Sequence, residues 1–371
     1  MTDLFVLAAE PSADLQGAKL VEELLKSNPR LHITAMAGPR MRSLPIDALY
    51  PMEKLQVMGF LDVLLSLPKI IHWFFRVRNQ ILKLNPKAVV CIDYPGFNLR
   101  LAKSLRKKGF KGKLIHYVCP TVWAWGKKRI PLMEKNLDLL MTLFPFEKAC
   151  FSLTKLPVEH VGHPLANDIP PPSTHQESNR LGLFPGSRET EIQRNFPLQL
   201  QVAKRLLSQN PSMQVAVSIA HPARAELLKK IAADFPLTFI PPDKNYDLMR
   251  TCRLALATSG TVTLELALHE VPTVVNFAIR PLDVFLATKV FRINLPFYCI
   301  VNIIASKRAF PELFGPNLTE EALFSEAQAL WFNESARQLC RDGCRTVRHL
   351  LGDSQAASSA AHLILSQLQS S

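Results

Sequence analysis

Short runs of consecutive apolar residues, each bounded by turn formers, recur through the first half of the chain: 4–8 (LFVLA), 31–37 (LHITAMA), 88–92 (AVVCI), 113–118 (KLIHYV) and 138–143 (DLLMTL). Segments of helical period stand between most of them, such as GAKLVEELLKSN and FNLRLAKSLRKKG, the second ending at Gly109 as a helix C-cap should. Apolar strands alternating with helices predict a parallel sheet covered on both faces. Around 164 to 180 the stretch PLANDIPPPSTHQESN breaks every periodicity and reads as a linker or long crossover. The alternation then restarts in RLGLFPGSRETEI, MQVAVSIA, LTFIPP, LALATSGTVTLELAL and PTVVNFA, and from about 322 the chain turns helical and polar. The expected layout is therefore an α/β domain over 1–168, a Pro-rich linker over 169–180, a second α/β domain over 181–321 and packing helices over 322–371. In doubly wound sheets ligands sit at the carboxyl ends of the strands, and two such halves place a cleft between them.

Length agrees, since 371 residues corresponds to about two domains of ~150 residues. The balance of 48% hydrophobic and 20% charged residues is that of a globular protein. Seven scattered cysteines without a CxxC pair indicate neither a zinc site nor a disulfide framework and fit a reducing compartment. The net charge of +13 calls for an anionic partner: nucleic acid, phosphorylated small molecules or an anionic membrane face. The start MTDLFVLAAE has no basic n-region and does not read as a signal peptide. Nowhere does an apolar, uncharged stretch reach the roughly 20 residues of a spanning helix. VMGFLDVLLSLPKIIHWFFRVR, residues 57 to 78, comes nearest; it reads either as a buried helix pair or as an interfacial hairpin whose Trp73, Phe74 and Phe75 beside basic residues suit a headgroup boundary.

Five turns at strand ends carry candidate chemistry. In LALATSGTVTLELAL a strand ends at Ala257, and Ser259, Gly260 and Thr261 open a helix that carries Glu265 one turn in. The first amides of a helix lack internal partners and sit at the positive end of its dipole, so the turn suits a diphosphate and Glu265 suits ribose hydroxyls. The alternative is a plain cap made by Ser259 or Thr261. LGLFPGSRETEI places Ser187 and Arg188 at a second such turn; Arg188 is either a bidentate partner for phosphate or a solvated turn residue. VVCIDYPGFNLRLA ends a strand at Asp93, a candidate general base or a turn carboxylate. IHYVCPTVWAWGKKRI brings Trp123 and Trp125 together with three basic residues, as a ligand-stacking loop or a structural one; His116 reads as a buried histidine and His163 as ordering the crossover. The first turn, LAAEPSADLQGA, keeps Glu10, Ser12 and Asp14 but lacks phosphate-loop glycines. No GxxxxGK[ST], HExxH or GxSxG occurs.

In order along the chain, GPRM, VMG, IDYPGFN, HYVCPTVWAW, FPFEK, GHP, FPGSR and SGTVTLE resemble the lipid-A-disaccharide synthase family, with a weaker match through VNIIASKRAFPEL. That resemblance implies a GT-B architecture: two Rossmann-like parallel-sheet domains facing a cleft, with C-terminal helices that cross back between domains or exchange in a homodimer. It implies an inverting glycosyl transfer from UDP-2,3-diacylglucosamine to 2,3-diacylglucosamine 1-phosphate (lipid X), giving the β-1,6-linked disaccharide and UDP without cofactor or metal. Carried over by motif, Asp93 is the base and Arg188 neutralises the leaving diphosphate. Ser187, Ser259, Gly260, Thr261, Glu265 and Asn302 bind the donor, although Val301 replaces the proline usual before that asparagine. Glu10, Ser12, Asp14, Trp123 and Trp125 fall on the acceptor side, where the family turn usually reads Gly-Glu-x-Ser-Gly-Asp. If Ala13 takes the left-handed conformation that a glycine takes, that turn is strained by roughly 1 kcal/mol. The expected site of action is the inner face of the bacterial inner membrane, with 57–78 against acyl chains or bilayer. Runner-up readings are another UDP-sugar enzyme of the same architecture and a catalytically impaired relative; nucleic-acid binding has no recognition motif behind it.

Overall fold

The computed structural model describes residues 2–55, 67–124, 126–172, 178–280, 284 and 295–369. The chain forms two compact units, Met1–Asn167 with Asp353–Ser371, and Asp168–Gly352. Each is a parallel sheet wrapped by helices, and the apolar runs are its strands.

In the first unit β1 (Leu4–Ala8), β2 (Ile33–Ala37), β3 (Asp47–Pro51), β4 (Ala88–Ile92), β5 (Lys113–Tyr117), β6 (Leu139–Thr142) and β7 (Val158–His160) are arranged β3-β2-β1-β4-β5-β6-β7, with every pairing parallel. β1, β2, β4 and β6 are buried throughout because helices cover both faces. One face packs against the helices Pro11–Ser27 and Ala356–Gln369, the other against Leu67–Leu84, Pro95–Lys107 and Ile130–Asn136. The edge strands β3 and β7 carry no long apolar run, so sequence pattern passed over them.

The second unit repeats the plan with β8 (Arg180–Phe184), β9 (Gln214–Ser218), β10 (Thr238–Ile240), β11 (Leu254–Thr258), β12 (Thr273–Phe277) and β13 (Glu312–Phe314), arranged β10-β9-β8-β11-β12-β13 and all parallel. The helices Glu320–Phe332 and Glu334–Leu351 belong to this unit, and the last one stops at Gly352 with φ +74°. Ala356–Gln369 returns to the first unit of the same chain, laying Ala360, Ala361 and Ile364 into its core. Both sheets reverse winding direction once, between β1 and β4 and between β8 and β11. At such a switch point adjacent connections leave in opposite directions and open a crevice at the carboxyl ends of the strands.

Gly109, at φ +83°, ends the helix Pro95–Lys107 as its position implied. The first helix begins earlier than expected, at Pro11, so Ser12, Ala13 and Asp14 lie in its first turn. Ala13 is helical and outside the positive-φ set, which removes the strain expected there.

Of 57–78, the described part is Leu67 onward, in the helix Leu67–Leu84. Val77 and Ile81 are buried, while Leu67, Ile71 and Phe75 are 47%, 47% and 46% exposed at four-residue spacing, a second apolar stripe facing outward. Arg76 and Arg78 lie over the rings of Trp73 and Phe75, 5.0 and 4.8 Å from their centroids. Among the described residues no helix is long and apolar enough to cross a membrane.

Candidate functional site

The switch point of the second unit holds a cavity of about 550 Å³, lined by the ends of β8, β9 and β11 and by the turns that follow them. The turn after β11 presents Thr258, Ser259, Gly260 and Thr261 to it. The helix Thr261–Leu268 has Gly260 as N-cap and no side-chain cap. Its leading amides are therefore offered to the cavity, and the plain cap by Ser259 or Thr261 is not what forms. A Cβ on Gly260 would meet nothing within 4 Å, so the glycine leaves room in front of those amides. Beneath the turn, the side chains of Asn195, Gln199 and Asn276, all fully buried, form a ladder. The Asn276 carbonyl accepts from Ser259 N–H, which holds the turn on rigid β12.

Glu265 enters from the same helix. Burial pushes its carboxyl above the ordinary value, offset by the Tyr246 hydroxyl, which donates to Oε1 at 3.4 Å. Tyr246 also lines the cavity, its ring centroid 5.0 Å from that of His269. Across the crevice, the turn after β8 carries Gly186 (φ +110°), Ser187 and Arg188. Glu191, in the first turn of the helix Glu189–Gln209, accepts from Ser187 N–H and Arg188 N–H on Oε2 at 3.1 and 3.2 Å and from Arg188 Nη1 on Oε1 at 3.1 Å. The Arg188 side chain itself is 81% exposed. Helix amides, an exposed guanidinium and a half-buried carboxylate around one crevice are complementary to a nucleoside diphosphate.

At the switch point of the first unit stand Glu10, after β1, and Asp93, after β4. Asp93 and Tyr94 both adopt the left-handed conformation, φ +50° and +45°, and Asn98 Nδ2 holds the turn by donating to the Asp93 carbonyl at 2.6 Å. Two consecutive left-handed non-glycine residues at a strand end are strain of the kind found at functional sites. Burial pushes the Asp93 carboxyl up, and burial together with Asp93 does the same to Glu10. Ser12 is exposed in the first turn of the helix that Glu10 precedes. After β5, Val118 is held at φ +77°, and the following loop carries Trp123, whose ring stands edge-on to Phe146 at 5.6 Å. Its indole N–H donates to Glu147, a carboxyl that is 3% exposed and that burial pushes up to about 8. Trp125 lies outside the described residues.

A family model described as lipid-A-disaccharide synthetase matches residues 4–365. The chain belongs to that family. It is 37% identical over 369 residues to the lipid-A-disaccharide synthase of Chlamydia trachomatis serovar D, covering 95% of this chain and 60% of that one, so it spans less than two thirds of that relative's length. The synthase of Geobacter sulfurreducens is 32% identical over 379 residues, which covers 98% of this chain and 97% of that one. Among solved structures, the Methanocaldococcus jannaschii UDP-GlcNAc 2-epimerase in complex with UDP-GlcNAc and UDP superposes with a TM-score of 0.58 at 13% identity, covering 99% and 100% of the two chains. That likeness shows the fold, the pair of Rossmann-like domains of the GT-B class.

Two residues expected at the site of this synthetase family member do other work. Asn302 is fully buried away from the cavity: its amide donates to the Phe310 carbonyl and Glu312, while its oxygen accepts from Ala309 and Phe310 N–H, which fastens the 306–312 loop. Asp14 is 2% exposed, and its carboxylate accepts from the amides of Gly38, Arg40 and Met41 at 2.8, 2.9 and 3.2 Å. It caps the turn GPRM instead of facing the crevice, and Gly38 is required there because a Cβ would stand 2.4 Å from Asp14. His116 is buried as expected, its pKa pushed down to about 4. His163 stacks on Phe144 at 5.1 Å and accepts from Leu165 N–H, ordering the start of the helix Pro164–Asp168. Sequence reasoning missed Glu191, Tyr246, Glu147 and the Asn195–Gln199–Asn276 ladder. Glu191 and Glu147 each left a local signal, an acid at N3 of a helix, and the others left none.

Proposed function

We propose that the chain is an inverting glycosyltransferase that condenses UDP-2,3-diacylglucosamine with 2,3-diacylglucosamine 1-phosphate, forming the β-1,6-linked lipid A disaccharide 1-phosphate and UDP. Membership of the lipid-A-disaccharide synthetase family supports the reaction, and the cavity between β8 and β11 carries the donor assignment. Glu265 accepts from the ribose hydroxyls. The amides of Ser259, Gly260 and Thr261 take the diphosphate at the helix N-terminus, with the Ser187 turn alongside, and Arg188 neutralises the charge that develops as UDP leaves. Asp93, carried at the strained end of β4, takes the proton of the acceptor 6-hydroxyl as that oxygen attacks the anomeric carbon. Glu10, Ser12 and the Trp123 loop supply the surface on which the acceptor lies.

The outward stripe Leu67, Ile71 and Phe75 with Arg76 and Arg78 alongside fits an anionic membrane face, and with it a peripheral position on the cytoplasmic side of the inner membrane. A homodimer exchanging the helix Ala356–Gln369 is the corresponding assembly reading; light scattering of the purified chain decides between it and a monomer with that helix seated on its own core. The deciding experiment for function is UDP release from the two acylated glucosamine substrates. Turnover abolished in Asp93→Asn and Arg188→Ala supports the assignment, and an active Asp93→Asn enzyme removes Asp93 as base. UDP binding without turnover in the parent protein would instead point to an impaired relative.

A further inference from the structure

The diphosphate cradle already contains a negative group. Glu191 Oε2 takes the two amides, Ser187 N–H and Arg188 N–H, that the turn after β8 offers, and Oε1 takes Nη1 of Arg188. The carboxylate is seated there by design of the turn. Gly186 sits at φ +110°, and a Cβ on it would lie 2.7 Å from Oε2 and 2.8 Å from Glu191 Cβ, so only a glycine admits this packing. The two partners differ in freedom: the Glu191 side chain is 18% exposed and the Arg188 side chain 81%. An ion pair of that kind holds weakly, because the arginine keeps its water and its rotamers. Glu191 thus stays in place while Arg188 can swing to another anion.

From this geometry we infer that Glu191 competes with the nucleotide diphosphate for Arg188, so that UDP is held less tightly than the cradle would otherwise hold it and is released after transfer. The inference rests on the donor assignment of this cavity. As the glycosidic bond forms and the bond to the diphosphate breaks, the electron pair goes to UDP and Arg188 meets its charge. The carboxylate then draws the guanidinium back, and the diphosphate loses a donor. A plain capping residue predicts the opposite, since weakening a cap loosens the turn and lowers affinity.

UDP binding to the full chain, followed by titration calorimetry and by the dissociation rate, separates these. Glu191→Gln keeps an oxygen for the amides and removes the charge that holds Arg188. It is expected to bind UDP roughly two- to fivefold more tightly through slower dissociation, the range that an exposed pair of about 0.4–1 kcal/mol allows. The gain should shrink when Arg188→Ala is combined with it. Glu189→Gln, which removes a carboxylate from the same helical turn but pairs with Arg224 away from the cavity, should leave UDP affinity unchanged. Thermal melting confirms the fold, and Glu191→Ala stands in should the glutamine variant melt early. Equal or weaker UDP binding in both Glu191 variants overturns the inference, as does a gain that persists in full without Arg188. A parent protein that fails to bind UDP, or an Arg188→Ala variant that binds it as well as the parent, defeats the donor assignment instead.

Discussion

Replacing Glu147 by glutamine should change how stability depends on pH. The carboxyl is 3% exposed beneath the Trp123 loop, and burial moves its pKa from 4.5 to about 8 against the opposing bonds from Phe144 and Leu143 N–H and the Trp123 indole. An acid whose pKa rises on folding favours the folded state while protonated, so its stability contribution is intact below about pH 4.5 and is lost as pH rises through 8. At 1.36 kcal/mol per tenfold, the parent should lose about 3 kcal/mol between pH 5 and pH 8 through this group alone. Glutamine is neutral throughout and should show no such loss. Urea unfolding of both proteins at a series of pH values measures it, because all other titrating groups cancel in the difference between the two curves. The stability of the variant relative to the parent should therefore climb by about 3 kcal/mol across that window. A difference that stays flat, or one that falls with pH, refutes a buried, proton-holding Glu147.

Other outcomes follow from the same structure. With its carboxyl pushed up by burial, Asp93 must lose its proton to act, so kcat/KM for UDP release should fall on the acid side with an apparent pKa above the usual aspartate value of 3.8; a profile flat down to that value would refute Asp93 as the base. Gly186→Ala meets both the left-handed φ and the Glu191 carboxylate, and should destabilise the second unit by about 1–3 kcal/mol in denaturant unfolding. Tyr246→Phe leaves Glu265 without its hydroxyl donor and should raise KM for the UDP-sugar while changing kcat little. In the helix Leu67–Leu84, Ile71→Ser with Phe75→Ser should lower partition onto anionic vesicles at least tenfold, since each apolar side chain is worth about 1.5–3 kcal/mol on burial; unchanged partition would place the membrane contact elsewhere.

The elements and their order were legible from the chain alone because a buried parallel strand must be apolar on both faces and a helix must turn every 3.6 residues. β1, β4, β8 and β11 appear as runs of Leu, Val, Ile and Ala ending in a turn, and the turns at 93, 187 and 259 announce themselves by residue type. Sequence could not show what each polar side chain faces. Asp14 and Asn302 look like ligand-binding residues by motif, yet their hydrogen bonds are filled by backbone amides at positions 38–41 and 309–310, brought near only when the chain folds. Glu147 looks like an ordinary surface acid until the Trp123 loop and the Phe144 turn close over it and strip its water. Local pattern decides what a segment becomes, because propensity and periodicity act over one turn or one strand. Desolvation and hydrogen-bond partnership depend on residues beyond that turn or strand, and so the tertiary structure alone determined which of these groups are desolvated, which are occupied and which can meet a ligand.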